Sequence, residues 1–213
     1  TEIYTLSLHD ALPISSPTAI RSLMKAGEGI AANHDLASLR HLASVGEPLN
    51  PEAVSWSKRV FGLPFHDTYW QTETGSIMIS NYPGMKIKPG SMGKPFPGIT
   101  GVVLDAEYKP INDPGRVGLI GFKPGWPAMM RTYWNDEDKY RDKFKNGWYI
   151  SGDKGTFDIE GYFWFVGRDD DVINTGGHLV SPFEVESALL EHAARSEERR
   201  VGKECRFRGS PHS

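Results

Sequence analysis

The apolar positions of this chain change period part-way along, and that change limits the fold more than any other feature. Up to residue 69, short apolar runs alternate with helical patterns. Ser16-Pro17 supplies an N-cap and a first-turn proline, Ile20, Leu23 and Met24 follow at i, i+3 and i+4, and Gly27 is a natural stop. Residues 42–45 form a short apolar run that ends at Gly46. Asn50-Pro51 opens a second helix carrying Ala53, Val54, Trp56 and Val60, and residues 65–69 read as the next strand. Strand, helix, strand in this order predicts part of an α/β layer with a parallel sheet. From Pro89 the pattern becomes short β-like runs, clearest at 102–104, 117–122 and 162–166, separated by turns. Asp113-Pro114-Gly115 suits a type II turn and Glu160-Gly161 a hairpin. A small antiparallel barrel or sheet is expected here. A third unit starts after Gly167. Its Ser181-Pro182-Phe183-Glu184 is a capping box, and Val185, Ala188, Leu189 and His192 share one face of the helix that follows. The expected class is α/β plus a small β-barrel.

The two ends read differently from the rest. Codons can be chosen for residues 3–14, IYTLSLHDALPI, whose complementary strand encodes residues 195–206, RSEERRVGKECR. Opposite ends of a protein have no physical reason to be antisense to one another. The shared DNA resembles a short-read sequencing adapter, so residues 1–15 and 195–213 are expected to be adapter-derived. The six basic residues of the tail therefore do not count as a nucleic-acid-binding arm. Without the ends the net charge moves from -3 to -4, which gives no reason to expect nucleic acid. The one cysteine, Cys205, lies in the tail, so no disulfide or thiolate chemistry is expected between the ends. No apolar run approaches the roughly 20 residues of a membrane helix. The opening stretch lacks the basic n-region of a secretory signal. A cytoplasmic location without membrane association is expected.

Three polar segments stand out. Residues 67–75, DTYWQTETG, place a carboxylate, three threonines, an amide and Glu73 just after a predicted strand, where α/β sheets bind ligands. A polar loop anchored by Tyr69 and Trp70 is the plainer alternative. Residues 149–153, YISGD, read as a strand ending in an exposed turn. Its aspartate could accept from both hydroxyls of a ribose, though for this segment taken alone a simple Ser-Gly-Asp turn is the better account. Residues 167–186, GRDDDVINTGGHLVSPFEVE, offer the donor fork of Arg168 and the close-approach backbone of Gly176-Gly177. Three consecutive aspartates lack the alternating spacing of a calcium loop. A charged linker between lobes is the alternative.

GEPLNPE, DTYWQTETG, YISGD and GRDDDVINTGG with PFEVE stand in the order that marks the adenylate-forming (AMP-binding) superfamily, which the segment between the two ends resembles throughout. Within it the nearest resemblance is to the acetyl-CoA synthetase group, through Gly46-Glu47-Pro48 and the YWQTETG run. The resemblance implies a partial adenylate-forming fold. Residues 16–88 would close the α/β subdomain, 89–166 form the barrel-like subdomain, 167–171 the hinge, and 172–194 the start of a small C-terminal α+β domain.

The resemblance also implies chemistry. Such enzymes join a carboxylic acid to the α-phosphate of ATP, expel pyrophosphate, and pass the acyl group from the adenylate to CoA. Gly46, Glu47 and Pro48 would border adenine. Asp67, Thr68, Tyr69, Trp70, Gln71 and Thr72 would form the nucleotide-binding strand end, with Thr72 at the α-phosphate. Glu73 would hold Mg²⁺, Asp153 the ribose hydroxyls, and Arg168 the ribose or phosphate. Thr72, Glu73 and Arg168 are the expected catalytic residues. Trp70 would wall an acyl pocket sized for acetate or propionate. Asp170 would be the hinge, and Gly176 and Gly177 would face the pantetheine arm of CoA.

The sequence departs from the group at Leu179, where many relatives carry arginine. The family's glycine-rich phosphate loop and C-terminal catalytic lysine do not occur in these 213 residues, so the chain by itself is expected to be inactive. His34, His41, His66, His178 and His192 lack zinc spacing. His192 matches a residue near a secondary cation site in relatives. Two alternatives stay open at this stage: another acyl-CoA synthetase or adenylation domain of the superfamily, and a non-catalytic, truncated nucleotide-binding module.

Overall fold

A computed structural model describes residues 13–170, 173–175 and 178–180, with Pro182, Val185 and Ala188 beyond them. The chain divides into two units, one through Phe165 and one from Val166, each described by itself.

Helix formation in the first unit follows its caps. Helix α1 (Pro17–Lys25) begins where Ser16 Oγ accepts from the Ala19 amide at 3.3 Å. Helix α2 (Pro51–Phe61) begins where Asn50 Oδ1 accepts from the Glu52 amide at 2.9 Å, with proline at the first helical position. It ends at Gly62 in the left-handed conformation, φ 71°. Both matched expectation. A short 3-10 segment, Glu28–Asn33, lies between α1 and the next strand.

Three parallel strands, β1 (Ile14–Ser15), β2 (Leu42–Ser44) and β3 (Phe65–Tyr69), form the α/β layer. β1 falls in the stretch that the antisense relation assigns to adapter. The sheet then departs from the expected all-parallel pattern. β4 (Ile79–Ser80) and β5 (Lys94–Pro95) extend it in antiparallel sense, giving the order β1-β2-β3-β4-β5. Ile20, Leu42, Leu49, Ala53, Val54, Trp56 and Phe65 make the core under α1 and α2. Ser57 ties helix to strand, donating to the Val54 carbonyl and accepting from the Phe65 amide at 2.9 Å.

The expected antiparallel part forms a second, curled sheet. It contains β6 (Gly101–Leu104), β7 (Gly118–Phe122), β8 (Phe144–Lys145), β9 (Trp148–Phe157) and β10 (Phe163–Arg168), in the order β10-β9-β7-β6 with β8 paired on β9. Helix α3 (Glu137–Asp142) precedes β8 and is capped by Asp136. The expected turns formed: Gly115 has φ 83° with the Arg116 amide bonded to the Asp113 carbonyl, and Gly161 has φ 81°.

One expectation is overturned. YISGD does not end in an exposed turn. Asp153 lies in the middle of the ten-residue strand β9 and is 4% exposed. Gly152 and Gly155 look like turn residues in sequence but lie within the strand, Gly152 at φ 82° and Gly155 where close packing leaves no space for a side chain. A Cβ on Gly155 would stand 2.8 Å from both the Ile120 side chain and the Trp164 carbonyl.

In the second unit, β11 (Ile173–Thr175) and β12 (His178–Val180) form an antiparallel hairpin. Pro182, Val185 and Ala188 are helical, as the capping box predicts, and Val185 is 37% exposed. Gly176, Gly177, Leu189 and His192 lie outside the described residues.

Candidate functional site

The chain leaves β3 at Tyr69 and turns sharply through QTETG. The Thr74 and Gly75 amides both bond to the Gln71 carbonyl, at 3.0 and 3.2 Å. Thr74 is fully buried and its hydroxyl accepts from the Gln71 amide at 3.0 Å. Thr74 is thus the knot of the turn, and Thr72 is left on its exposed side. Trp70 is 41% exposed. Ordinary core packing does not account for an indole placed there.

Asp153 of β9 meets this turn. One of its oxygens, Oδ2, accepts from the Tyr69 phenol at 2.5 Å and from Gln71 Nε2 at 2.8 Å. Gln71 Nε2 also donates to the Ser151 carbonyl at 3.0 Å, and Gln71 Oε1 accepts from the Tyr149 phenol at 2.8 Å. Both amide donors and the amide oxygen are thereby committed to β9. Burial, then the adjacent Asp153 carboxylate, pushes the Tyr69 phenol well above its ordinary value, so it stays a donor.

Glu73 is half-buried, and its Oε1 accepts from the Tyr133 phenol at 2.8 Å. Burial, then the hydrogen bond to Glu73, pushes Tyr133 up to about 12. Residues 126–133 strap over the turn. Trp126 Nε1 donates to the Thr74 carbonyl at 2.7 Å and the Met130 amide to the Glu73 carbonyl at 2.9 Å. Gly75, φ 63°, makes this approach possible, because a Cβ there would lie 2.2 Å from the Ala128 carbonyl oxygen.

Asp67 faces inward. Its carboxyl accepts from the Ser44 hydroxyl at 2.6 Å and from the Thr68 amide at 3.1 Å, and the Leu49 amide bonds to it as well. Burial outweighs these donors and raises its pKa to about 7. Thr68 is also buried, its hydroxyl donating to the Ser44 carbonyl at 2.6 Å. Asp67 thereby ties Leu49, at the far end of the Gly46–Pro48 loop, to β3, and Thr68 ties Ser44 at its near end. Gly46 has φ 95°, and Glu47 reaches α1, pairing with Arg21 at 3.2 Å and accepting from Thr18.

The first unit therefore gathers Tyr69, Gln71, Thr72, Glu73 and Asp153 around one strand end, with Trp70 exposed beside them. Arg168 and Asp170 belong to the second unit, where they pair at 3.8 Å. Sequence reasoning missed Tyr149 as a site residue, although it heads the YISGD run. Tyr133 and Trp126 carry no spacing signal that could have marked them.

The profile of the AMP-binding enzyme family matches residues 13–134. The chain belongs to that family. It is 55% identical over 196 residues to an acetyl-coenzyme A synthetase of Bacillus subtilis (strain 168), covering 92% of this chain and 34% of the relative. It is 47% identical over 196 residues to the acetyl-coenzyme A synthetase of Rubrobacter xylanophilus (strain DSM 9941 / JCM 11954 / NBRC 16129 / PRD-1), covering 89% and 30%. A solved structure, the anthranilate CoA ligase AuaEII in complex with anthranoyl-AMP, matches with a TM-score of 0.77 at 36% identity, over 86% of this chain and 34% of that one. The chain thus spans about a third of the length of the relatives it matches. As a member of the AMP-binding family it has an α/β layer and a half-barrel, consistent with part of a larger domain. No helix among its described residues is long and apolar enough to cross a membrane.

Proposed function

We propose that this chain forms the nucleotide- and acid-binding part of an ATP-dependent short-chain acyl-CoA ligase, with acetate as the preferred acid. In the first reaction a carboxylate oxygen attacks the α-phosphorus and pyrophosphate leaves. In the second the CoA thiolate attacks the acyl carbon and AMP leaves. The observation that carries this reading is the convergence of Tyr69 and Gln71 on one oxygen of Asp153. It brings two motifs about 80 residues apart to the carboxyl end of a parallel strand, where α/β folds bind nucleotides.

Each residue then has a role. Asp153 accepts from the ribose hydroxyls, held in place by two donors. Gly46, Glu47 and Pro48 border the adenine, on a loop fixed from behind by Asp67 and Thr68. Thr72, on the exposed side of the turn, donates to the α-phosphate. Trp70 walls the acid pocket, where each methylene excluded is worth about 1–3 kcal/mol. Arg168 contacts ribose or phosphate, Asp170 acts as hinge, and Gly176 and Gly177 face CoA. Glu73 is a single carboxylate, and magnesium is commonly held by one or two carboxylates with phosphate oxygens and water, so the residue fits that role. Bound there, the ion would offset phosphate charge as pyrophosphate leaves. ATP and CoA are small-molecule substrates of the cell interior, which supports a cytoplasmic location for the activity.

A hybrid tests the reading: this segment replaces its counterpart in the 55%-identical Bacillus subtilis relative. The hybrid should catalyse acetate-dependent exchange of pyrophosphate into ATP. Asp153→Asn should lower kcat/KM for ATP on the order of 10- to 100-fold, the worth of a charge-assisted hydrogen bond. Trp70→Gly should shift the preference towards longer acids. A folded hybrid without acetate-dependent exchange would sink the proposal.

A further inference from the structure

We infer that Tyr133 is a positioning residue for Glu73, fixing the carboxylate that the proposed reading assigns to the divalent cation. The inference rests on that reading but goes beyond it, to a residue outside the motifs that define the family resemblance. Glu73 sits on a tight turn, and a glutamate side chain has three rotatable bonds to order before it can serve a cation. One strap restrains it at two points. The Met130 amide holds the Glu73 carbonyl at 2.9 Å, which fixes the start of the side chain. The Tyr133 phenol, at 2.8 Å from Oε1, fixes its far end. Both restraints come from the same strap, which the Trp126 indole anchors to the neighbouring Thr74 carbonyl at 2.7 Å.

The phenol is itself held. Lys139 Nζ stands 4.8 Å from the centre of the Tyr133 ring, and Asn135 in the left-handed region, φ 53°, turns the chain from the strap into α3. A carboxylate offers about four lone-pair sites, and the phenol donation orients the group while occupying one of them. Carboxylates that ligate metals are commonly held by such outer hydrogen bonds, and losing one typically costs 10- to 100-fold in metal affinity.

The test uses the full-length hybrid with Mn²⁺ as probe, its binding read by electron paramagnetic resonance in the presence of a non-hydrolysable ATP analogue. Tyr133→Phe removes one oxygen and keeps the ring. It should weaken Mn²⁺ binding about tenfold and leave AMP binding without divalent cation unchanged. In the steady state it should raise KM for Mg·ATP more than it lowers kcat. Glu73→Gln should weaken Mn²⁺ more strongly than Tyr133→Phe. If Tyr133→Phe binds Mn²⁺ within twofold of the unsubstituted hybrid while Glu73→Gln does not, the inference fails and the proposed function stands. If Glu73→Gln also binds normally, Glu73 does not hold the cation, and both the inference and that part of the proposed function fall.

Discussion

Gln71 spends its whole amide on β9: two donors go to Asp153 and the Ser151 carbonyl, and its oxygen accepts from Tyr149. An amide is the one side chain of this size that donates twice and accepts from the same terminal group. Gln71→Glu would turn the two donors into an acceptor beside the Asp153 carboxylate. The expected cost is about 1–3 kcal/mol of stability, from an unmatched buried acceptor, read as a lower urea midpoint. An unchanged midpoint would mean the contact is not maintained in solution. Gly75 makes a second residue-scale case. An alanine there would adopt φ 63° with its Cβ 2.2 Å from the Ala128 carbonyl oxygen. The left-handed conformation alone costs roughly 1–2 kcal/mol for a non-glycine residue, and the backbone clash adds to it. Gly75→Ala should therefore lose more than about 2 kcal/mol, detectable as a lower thermal midpoint. Retention of the parent midpoint would show that the strap is not packed on the turn.

Strand β3 carries two titrating side chains on successive residues, and they pull stability in opposite directions. Asp67 has a folded pKa of about 7, raised by burial above its ordinary 3.8. The folded chain holds that proton to higher pH than the unfolded chain does. Its contribution is complete below about pH 4 and is lost as pH rises to about 7. His66, half-buried with its Nδ1 against the Asn81 carbonyl, has a lowered pKa owing to burial. His41, 4.2 Å away between ring centres, is lowered by burial and then by His66. Their contribution is complete above about 6.5 and is lost as pH falls through their lowered values. Urea midpoints between pH 5 and 8 separate the two. Asp67→Asn should remove a decline towards neutral pH, and His66→Gln should remove a decline towards acid. Curves parallel to the parent would refute both assignments. The ends and direction of β3, α1 and α2 were legible in the sequence because caps, prolines and apolar spacing agree there. Strand β9 was not, since its Ser-Gly-Asp and second glycine look like a turn, and the close packing against Ile120 and Trp164 that explains Gly155 is tertiary. Helix α3 was invisible because none of its residues is buried, so it has no apolar period to detect. At the site, the motif strings marked Gln71 and Asp153. That Asp67 points inward while Thr72 points outward depends on tertiary burial, which strand alternation alone does not supply.

At the scale of the molecule, the parts before and after the change in pattern near Pro89 fall in one compact unit that runs to Phe165. Neither sheet can bury its apolar face alone. Met78, Ile79 and Met92 from the first part share a core with Val103, Ile120, Phe122, Tyr149 and Phe163 from the second. The backbone is stitched across the same boundary. The Met92 amide bonds to the Phe163 carbonyl at 2.9 Å, and the Phe163 amide to the Gly93 carbonyl at 2.7 Å. Gly93 is required there because a Cβ would lie 2.1 Å from the Ser80 carbonyl oxygen. The Gln71–Asp153 network crosses the same joint, so the site exists only while the two sheets are docked. Ile79→Ala, at a fully buried position in this shared core, should cost about 2–5 kcal/mol. Because the core is common, amide exchange in β2 and β3 should accelerate together with that in β7 and β9. Exchange that rises on one sheet alone would mean the sheets open independently, and a site built from both could then not stay assembled between ligands.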